Sequence, residues 1–292
     1  MQKLYSKPIK EAIIKDLKKK IEDNHLDNMN MAIITSGTDD ASKVYIKQKK
    51  KLANKLGIEV MIIDLNEDYE FNGMKLDNNS STQEMLLLID YLVANKVPMM
   101  IQMPLQNDMN DEKLLNAIPA YLDIDGLTKY SLGEVLSKGI NYEGNIACTP
   151  HGIIDLLDAY NIDLEGKNIL IIGRSEIVGK PLIGLLLSEN ATVEIAHSKT
   201  RPMELAKKMR KADIIISQVG KDNFFGIRDV KDDAIIIDVS MNRNKDGKLC
   251  GDFNPLGVED TNIQYTPVPG GVGPMTVTEL IRNVVNTNYL FN

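Results

Sequence analysis

The chain has 292 residues, 43% of them hydrophobic and 26% charged, with a formal net charge of −7. That length suits two hydrophobic cores better than one, and the composition is that of a globular protein. The acidic balance excludes an overall basic field for nucleic acid, and no apolar run reaches transmembrane length. In chain order, Ile9, Ile13, Ile14, Leu17 and Ile21 fall at helical spacing. Residues 31–35 read as a buried strand, 39–56 as a helix, 59–64 as a strand and the polar stretch 66–82 as an exposed loop. A helix over 81–94, a strand over 97–102 and a short helix over 111–118 follow, and 119–149 reads as irregular. A second set then begins: helix 151–160, strand 168–172, helix 177–187, strand 192–196, helix 203–211, strands 213–217 and 234–239, and a last helix from 277. Strands alternating with helices predict two α/β domains with parallel sheets and an active-site cleft between them. The second is predicted to be a Rossmann-like NAD(P)-binding domain over 148–274, and the first a catalytic domain over 1–147 plus 275–292.

Cys148 and Cys250 lie far apart, and His25, His151 and His197 are scattered, so reduced thiols and no metal site are expected. Met1-Gln2-Lys3-Leu4 has no signal-peptide pattern, and a cytoplasmic location without membrane partners is expected.

The strand 168–172 runs directly into Gly173-Arg174-Ser175-Glu176-Ile177-Val178-Gly179-Lys180-Pro181. A glycine at a strand end allows a tight turn, and the N-terminus of the next helix can receive a pyrophosphate. Ser175 and Val178 stand where the usual dinucleotide fingerprint has its second and third glycines. On its own the turn fits either a phosphate site or an ordinary strand–helix connection. The next strand ends in His197-Ser198-Lys199-Thr200, with no acid to bond a ribose hydroxyl. Arg174 and Lys199 could instead meet a 2′-phosphate, which points to NADP in preference to NAD; both could also be solvated charges.

Tyr45 and Lys49 are four residues apart on a predicted helix, so their side chains leave the same face. The surrounding Lys43, Lys47, Lys50, Lys51 and Lys55 read as a solvated face that could also attract a polyanionic tail. Gln102 ends a strand, where α/β sites form, and Asp125-Gly126 reads as a plain turn. Thr266-Pro267-Val268-Pro269-Gly270-Gly271-Val272-Gly273-Pro274-Met275-Thr276 holds three prolines and three glycines ahead of a helix. Such a loop has a specified shape and ends where free N–H groups meet an anion or a carbonyl.

Taken in order, these segments resemble the bifunctional methylenetetrahydrofolate dehydrogenase/methenyltetrahydrofolate cyclohydrolase (FolD) family from about Ala32 to the final helix. The segments that carry the resemblance are Ser42 with Tyr45 and Lys49, Gln102-Met103-Pro104-Leu105, Asp123-Ile124-Asp125-Gly126, Cys148-Thr149-Pro150-His151-Gly152, the Gly173 turn, and the proline–glycine loop. The resemblance implies oxidation of methylenetetrahydrofolate with NADP, then hydrolysis of the methenyl product to formyltetrahydrofolate. It implies catalytic roles for Lys49, Tyr45, Gln102 and Asp125, with Gln102 bonded to Lys49, Tyr45 against the pterin and Asp125 on the pterin's amino groups. It places Gly173, Arg174, Ser175, Ile177, Val178, Gly179, His197, Ser198 and Thr200 at the cofactor. It places Ser42, Tyr45, Asp125, Pro269, Gly270, Gly271, Gly273 and Thr276 at the folate. It also implies a homodimer and a place in one-carbon and purine biosynthesis.

The chain departs from the family pattern at Leu122, at Ser131, at Gln106 and at Ser240, where lysine, asparagine, proline and glycine are usual. Ser240 falls near the expected nicotinamide side, so cofactor position is the property it affects. A monofunctional dehydrogenase, a two-domain dehydrogenase of another small substrate, and a non-catalytic nucleotide-binding protein are the competing readings. A formyltetrahydrofolate ligase is not expected, because the chain lacks a Gly-x-x-x-x-Gly-Lys-Ser/Thr phosphate loop.

Overall fold

The computed structural model describes residues 1–36, 40–105 and 109–291, with the backbone alone at 40 and 41. Residue 39, the predicted start of the lysine helix, and Gln106 lie outside the described residues. The chain forms two compact α/β units. One comprises Ile14–Gly133, Glu143–Cys148 and Val277–Asn292, and the other Met1–Ile13, Glu134–Tyr142 and Thr149–Thr276.

The first unit is built on three parallel strands in the order Glu59–Asp64, Asn30–Thr35, Met99–Gln102. Its middle strand carries the run Met31-Ala32-Ile33-Ile34, all fully buried. A continuous apolar run is what a strand covered on both faces requires. The helices Asp40–Lys55 and Thr82–Ala94 make the crossovers. The second starts at a capping box in which Ser81 accepts the Glu84 N–H and Glu84 accepts the Ser81 N–H. Ala32, Ile34, Ile63, Leu88, Ile89 and Ile101 share one core cluster. The stretch predicted as an exposed loop holds an antiparallel hairpin, Tyr69–Phe71 against Met74–Leu76, which buries Phe71 and Leu76. Its turn is Asn72-Gly73, both at positive φ (47° and 76°). An Asn-Gly pair is the strongest short hairpin signal a sequence carries.

The second unit has a six-stranded sheet, all parallel, in the order Gln2–Lys3, Gln264–Tyr265, Ile235–Asp238, Ile214–Ser217, Asn168–Ile172, Thr192–Ala196. Ile214, Ile215 and Ile216 are fully buried, as are Ile236 and Ile237. The two-residue strands at one side, Gln2–Lys3 and Gln264–Tyr265, are too short to leave a periodic signal. The segment predicted as irregular contains the helix Lys129–Lys138, and the next helix, Cys148–Ala159, starts earlier than predicted. The last helix, Gly273–Tyr289, likewise begins inside the proline–glycine segment.

Both sheets share a topological device. Counting the six-stranded sheet from Asn168–Ile172, the second strand in sequence lies on one side of the first, and the third lies on the other. Where the chain reverses in this way, loops at the strand C-termini diverge and leave a crevice. In the first unit that point is Thr35 beside Gln102; in the second it is Ile172 beside Ser217. Among the described residues, no helix is long and apolar enough to cross a membrane.

Candidate active site and dinucleotide cavity

On the lysine helix Asp40–Lys55, Lys49 is 6% exposed, whereas Lys43, Lys47, Lys50, Lys51 and Lys55 are exposed. A buried ammonium persists only with partners. Lys49 Nζ donates to Gln102 Oε1 at 2.8 Å and lies 3.4 Å from Met100 Sδ. The predicted pair is therefore assembled, on the crevice end of Met99–Gln102. Tyr45, one turn earlier, is half-buried, and burial pushes its phenol above the usual range. Ser42 is half-buried a further turn back.

Asp125 is half-buried, on a loop whose shape comes from Asp123. Asp123 is fully buried, and its carboxylate accepts the Gly126 N–H at 2.9 Å and the Thr128 N–H at 2.8 Å. Burial pushes its carboxyl up to about 6, partly offset by those N–H bonds. Ser131, one of the departures, donates to the same carboxylate at 3.3 Å and lies 2.9 Å from the Thr128 hydroxyl. Gly126 has φ +68°, and a Cβ there would lie 2.5 Å from Ala147 N, so this position takes glycine alone. Asn283 donates to the carbonyls of Ile124 at 2.9 Å and Ile146 at 3.0 Å, tying the loop to the last helix. Leu122, another departure, is fully buried in the core. The Cys148 thiol donates to the Ile124 carbonyl at 3.5 Å and is held far from ionisation by burial and by Asp125.

In the second unit, Gly173, Arg174, His197, Ser198 and Thr200 line one cavity of about 530 Å³. The structure thus brings together five of the nine predicted cofactor residues. Ser175 caps the turn instead: its hydroxyl accepts the Val178 N–H at 3.2 Å and the Gly179 N–H at 3.5 Å. Val178 is buried and Ile177 is 54% exposed. The 197–200 turn closes on itself, with the His197 N–H donating to Thr200 Oγ1 at 2.9 Å and the Lys199 N–H to His197 Nδ1 at 3.1 Å. The helix Gly179–Ser188 starts immediately behind the turn. Its first N–H groups are spent within the turn, Gly179 on Ser175 Oγ and Lys180 on the Ser175 carbonyl, so what the helix start offers is the positive end of its dipole. A Cβ at Gly173 would lie 2.2 Å from the Gln218 side chain, and one at Gly179 2.5 Å from Gln218 Nε2. That close cradle and the helix start fit the diphosphate of a dinucleotide, and the cationic Arg174 on the same cavity fits a 2′-phosphate.

Ser240, a further departure, is not among the residues that line this cavity. Its hydroxyl donates to buried Asp252 at 2.7 Å and accepts the Gly220 N–H at 3.1 Å. Asp252 also accepts from Ser217 at 2.6 Å and from the N–H groups of Val219 and Lys221. Burial opposes ionisation of Asp252, but these donors outweigh it and hold the carboxyl below its ordinary value. The neighbouring Asp238, buried and facing Asp252, is pushed up to about 7 by burial.

The proline–glycine loop belongs to this second unit. Gly270 has φ +106°, and its carbonyl accepts both the N–H and the hydroxyl of Ser6 at 3.0 Å. A Cβ at Gly271 would lie 2.7 Å from Pro267 O. Pro269 follows a cis peptide bond, Gly273 opens the last helix, and Thr276 lies 2.9 Å from the Thr149 hydroxyl.

Sequence reasoning missed Gln218, Val219, Lys221 and Phe224, which also line the cavity. The available signal was positional: they follow the strand Ile214–Ser217, and sites in open α/β sheets form beyond strand C-termini.

Comparison with known proteins finds two family models along the chain. The family model for the tetrahydrofolate dehydrogenase/cyclohydrolase catalytic domain matches residues 4–125. The model for the NAD(P)-binding domain of the same family matches residues 147–290. The chain is 40% identical to the bifunctional protein FolD of Ligilactobacillus salivarius (strain UCC118), over 87% of this chain and 85% of that one. It is 39% identical to the bifunctional protein FolD of Agathobacter rectalis, over 97% and 96%. The crystal structure of the bifunctional FolD methylenetetrahydrofolate dehydrogenase/cyclohydrolase from Campylobacter jejuni superposes with a TM-score of 0.90, at 34% identity and 100% coverage of both chains. The chain therefore belongs to the tetrahydrofolate dehydrogenase/cyclohydrolase family.

Proposed function

We propose that this protein oxidises 5,10-methylenetetrahydrofolate with NADP and hydrolyses the resulting methenyl compound to 10-formyltetrahydrofolate. The observation that carries the reading is the buried Lys49–Gln102 pair, 2.8 Å apart, in the unit matched by the family's catalytic domain. When bound, the nicotinamide supplies the hydride acceptor. The protein's work is then to hold the folate's one-carbon bridge and to manage water and protons. Lys49 handles the proton as water attacks the methenyl carbon and the ring opens. Gln102, accepting one ammonium proton, fixes the direction of the other two. Tyr45 packs against the pterin. Asp125 accepts two N–H bonds from its 2-amino-4-oxo edge, a bidentate match for a carboxylate. Pro269, Gly270, Gly271, Gly273 and Thr276 supply loop backbone and a hydroxyl to the substrate.

NADP is favoured over NAD because Arg174, Ser198 and Thr200 line the cavity and the tip of Thr192–Ala196 carries no acid. In this reading the catalytic domain is 1–147 plus 275–292 and the NAD(P)-binding domain 148–274, the latter also contributing Pro269, Gly270, Gly271 and Gly273 to the substrate. A cytoplasmic homodimer completes it. Support for the dimer is the edge strand Thr192–Ala196, unpaired on one side among the described residues, with Ile195 38% exposed.

The test is an assay with methylenetetrahydrofolate and NADP or NAD in separate runs, following reduced cofactor and methenyltetrahydrofolate together. Reduced cofactor without lasting methenyl accumulation is expected. Persistent methenyl would leave a monofunctional dehydrogenase, and no turnover with either cofactor would sink the enzyme reading.

A further inference from the structure

We propose that Gln218 is the positioning residue of the dinucleotide site, holding Ser175 with its carbonyl and offering its amide N–H to an oxygen of the bound diphosphate. The inference rests on the reading of this cavity as a dinucleotide site.

Topology puts Gln218 at the switch point. It is the first residue beyond the strand Ile214–Ser217, and its N–H donates to the Ile172 carbonyl at 3.0 Å, one residue before Gly173. Its side chain then crosses the Gly173–Gly179 turn. Added Cβ atoms at those two glycines would collide with it at 2.2 Å and 2.5 Å. Two glycines therefore make room for one glutamine.

Hydrogen-bond accounting fixes which way the amide points. The Ser175 hydroxyl already accepts the N–H groups of Val178 and Gly179, so its own proton needs an acceptor. Gln218 Oε1 is that acceptor, at 2.8 Å. The assignment leaves Nε2 with two protons, buried and without a partner among the described residues. An unmade hydrogen bond at a buried donor costs about 1–3 kcal/mol. Gln218 lines the same cavity as Arg174, Ser198 and Lys221, and the N-terminus of Gly179–Ser188 lies behind the turn. The unspent donor and the positive end of the helix dipole both suit an anionic oxygen. Diphosphate is common to NADP and NAD, so Gln218 governs affinity for both. Arg174, in contrast, separates the two.

The experiment measures dissociation constants of NADPH and NADH by calorimetry for wild type, Gln218→Ala and Gln218→Glu, with thermal midpoints of the free proteins, kcat and KM alongside. Gln218→Ala is expected to weaken both cofactors alike, about tenfold, with KM for each raised in step. Gln218→Glu keeps the acceptor for Ser175 but removes the donor and adds a negative charge. It is expected to weaken both by about a hundredfold at pH 8, and it decides the matter where the alanine variant fails to fold. Wild-type affinity in Gln218→Glu, or a loss confined to one cofactor, would overturn the proposal while leaving the dinucleotide site standing. A wild type that binds neither cofactor would overturn both.

Discussion

The two units solve the same topological problem with the same side chain and put it to different uses. In each, a glutamine sits at or just past the C-terminal end of a strand at the switch point, Met99–Gln102 or Ile214–Ser217, and its carbonyl accepts one proton at 2.8 Å. Gln102 takes that proton from a buried ammonium, Lys49. Gln218 takes it from a hydroxyl, Ser175, that caps a backbone turn. The first arrangement places a charge where a bond must be made or broken. The second shapes main chain that only has to recognise an anion. A reacting centre tolerates little displacement of its acid or base, so it is built from a side chain locked by burial. A phosphate is met by a diffuse positive field and a close-fitting turn, so its site is built around glycine backbone and a helix dipole and stands more open.

The largest expected effect tests the first half of this contrast. Lys49→Met is expected to cut methenyl hydrolysis about 10²–10⁴-fold, the usual worth of a positioned acid or base. NADPH affinity by calorimetry is expected to stay unchanged. A loss of both would show that the two units are not separable as described.

Next is the loop that carries Asp125. Gly126→Ala puts a Cβ 2.5 Å from Ala147 N at φ +68°, and about 3 kcal/mol of stability is expected to be lost in urea unfolding. Gly57→Ala is the control. Its φ is also positive, +75°, but nothing lies within 4 Å of an added Cβ, so about 1 kcal/mol is expected. Equal losses would mean that strain, not the close approach, fixes this loop.

A smaller effect sharpens the cofactor half. Arg174→Ala is expected to weaken NADPH binding about tenfold and leave NADH binding unchanged, since one charge-assisted contact is worth about 1.5–3 kcal/mol. Equal weakening of both would move Arg174 from the 2′-phosphate to the shared diphosphate.

The last prediction concerns pH. Asp238 holds its proton up to about 7 in the folded chain, against an ordinary 3.8. Between those values the folded state keeps a proton that the unfolded state has lost. Its contribution to stability therefore falls as pH rises through the window, by up to about 1.4 kcal/mol per unit. Thermal midpoints from pH 4.5 to 7.5 are expected to fall more steeply in wild type than in Asp238→Asn. Asp123, raised to about 6, works in the same direction and leaves the variant part of the slope. Parallel curves would remove Asp238 from the account.

Much of this was legible from residue order. The runs 31–34 and 168–172, separated by helical periods, determine two parallel sheets, because a strand covered on both faces must be apolar throughout. The spacing of Tyr45 and Lys49 determines a shared helix face, and Gly173 with Arg174 determines a turn beside a cation. The Asn72-Gly73 hairpin was written in the sequence as well, although the polar stretch around it reads as a loop.

Tertiary structure alone decided which lysine of six is buried, because each leaves the same helix and only the sheet beneath distinguishes Lys49. It also decided that Asp123, not a local turn preference, sets the pose of Asp125, through N–H bonds closed inside a core. Gln218 faces Ser175 across 43 residues, and Asp252 gathers Ser217 and Ser240 from two other segments. No local period encodes such pairs, since they exist only once parallel strands distant in sequence lie side by side.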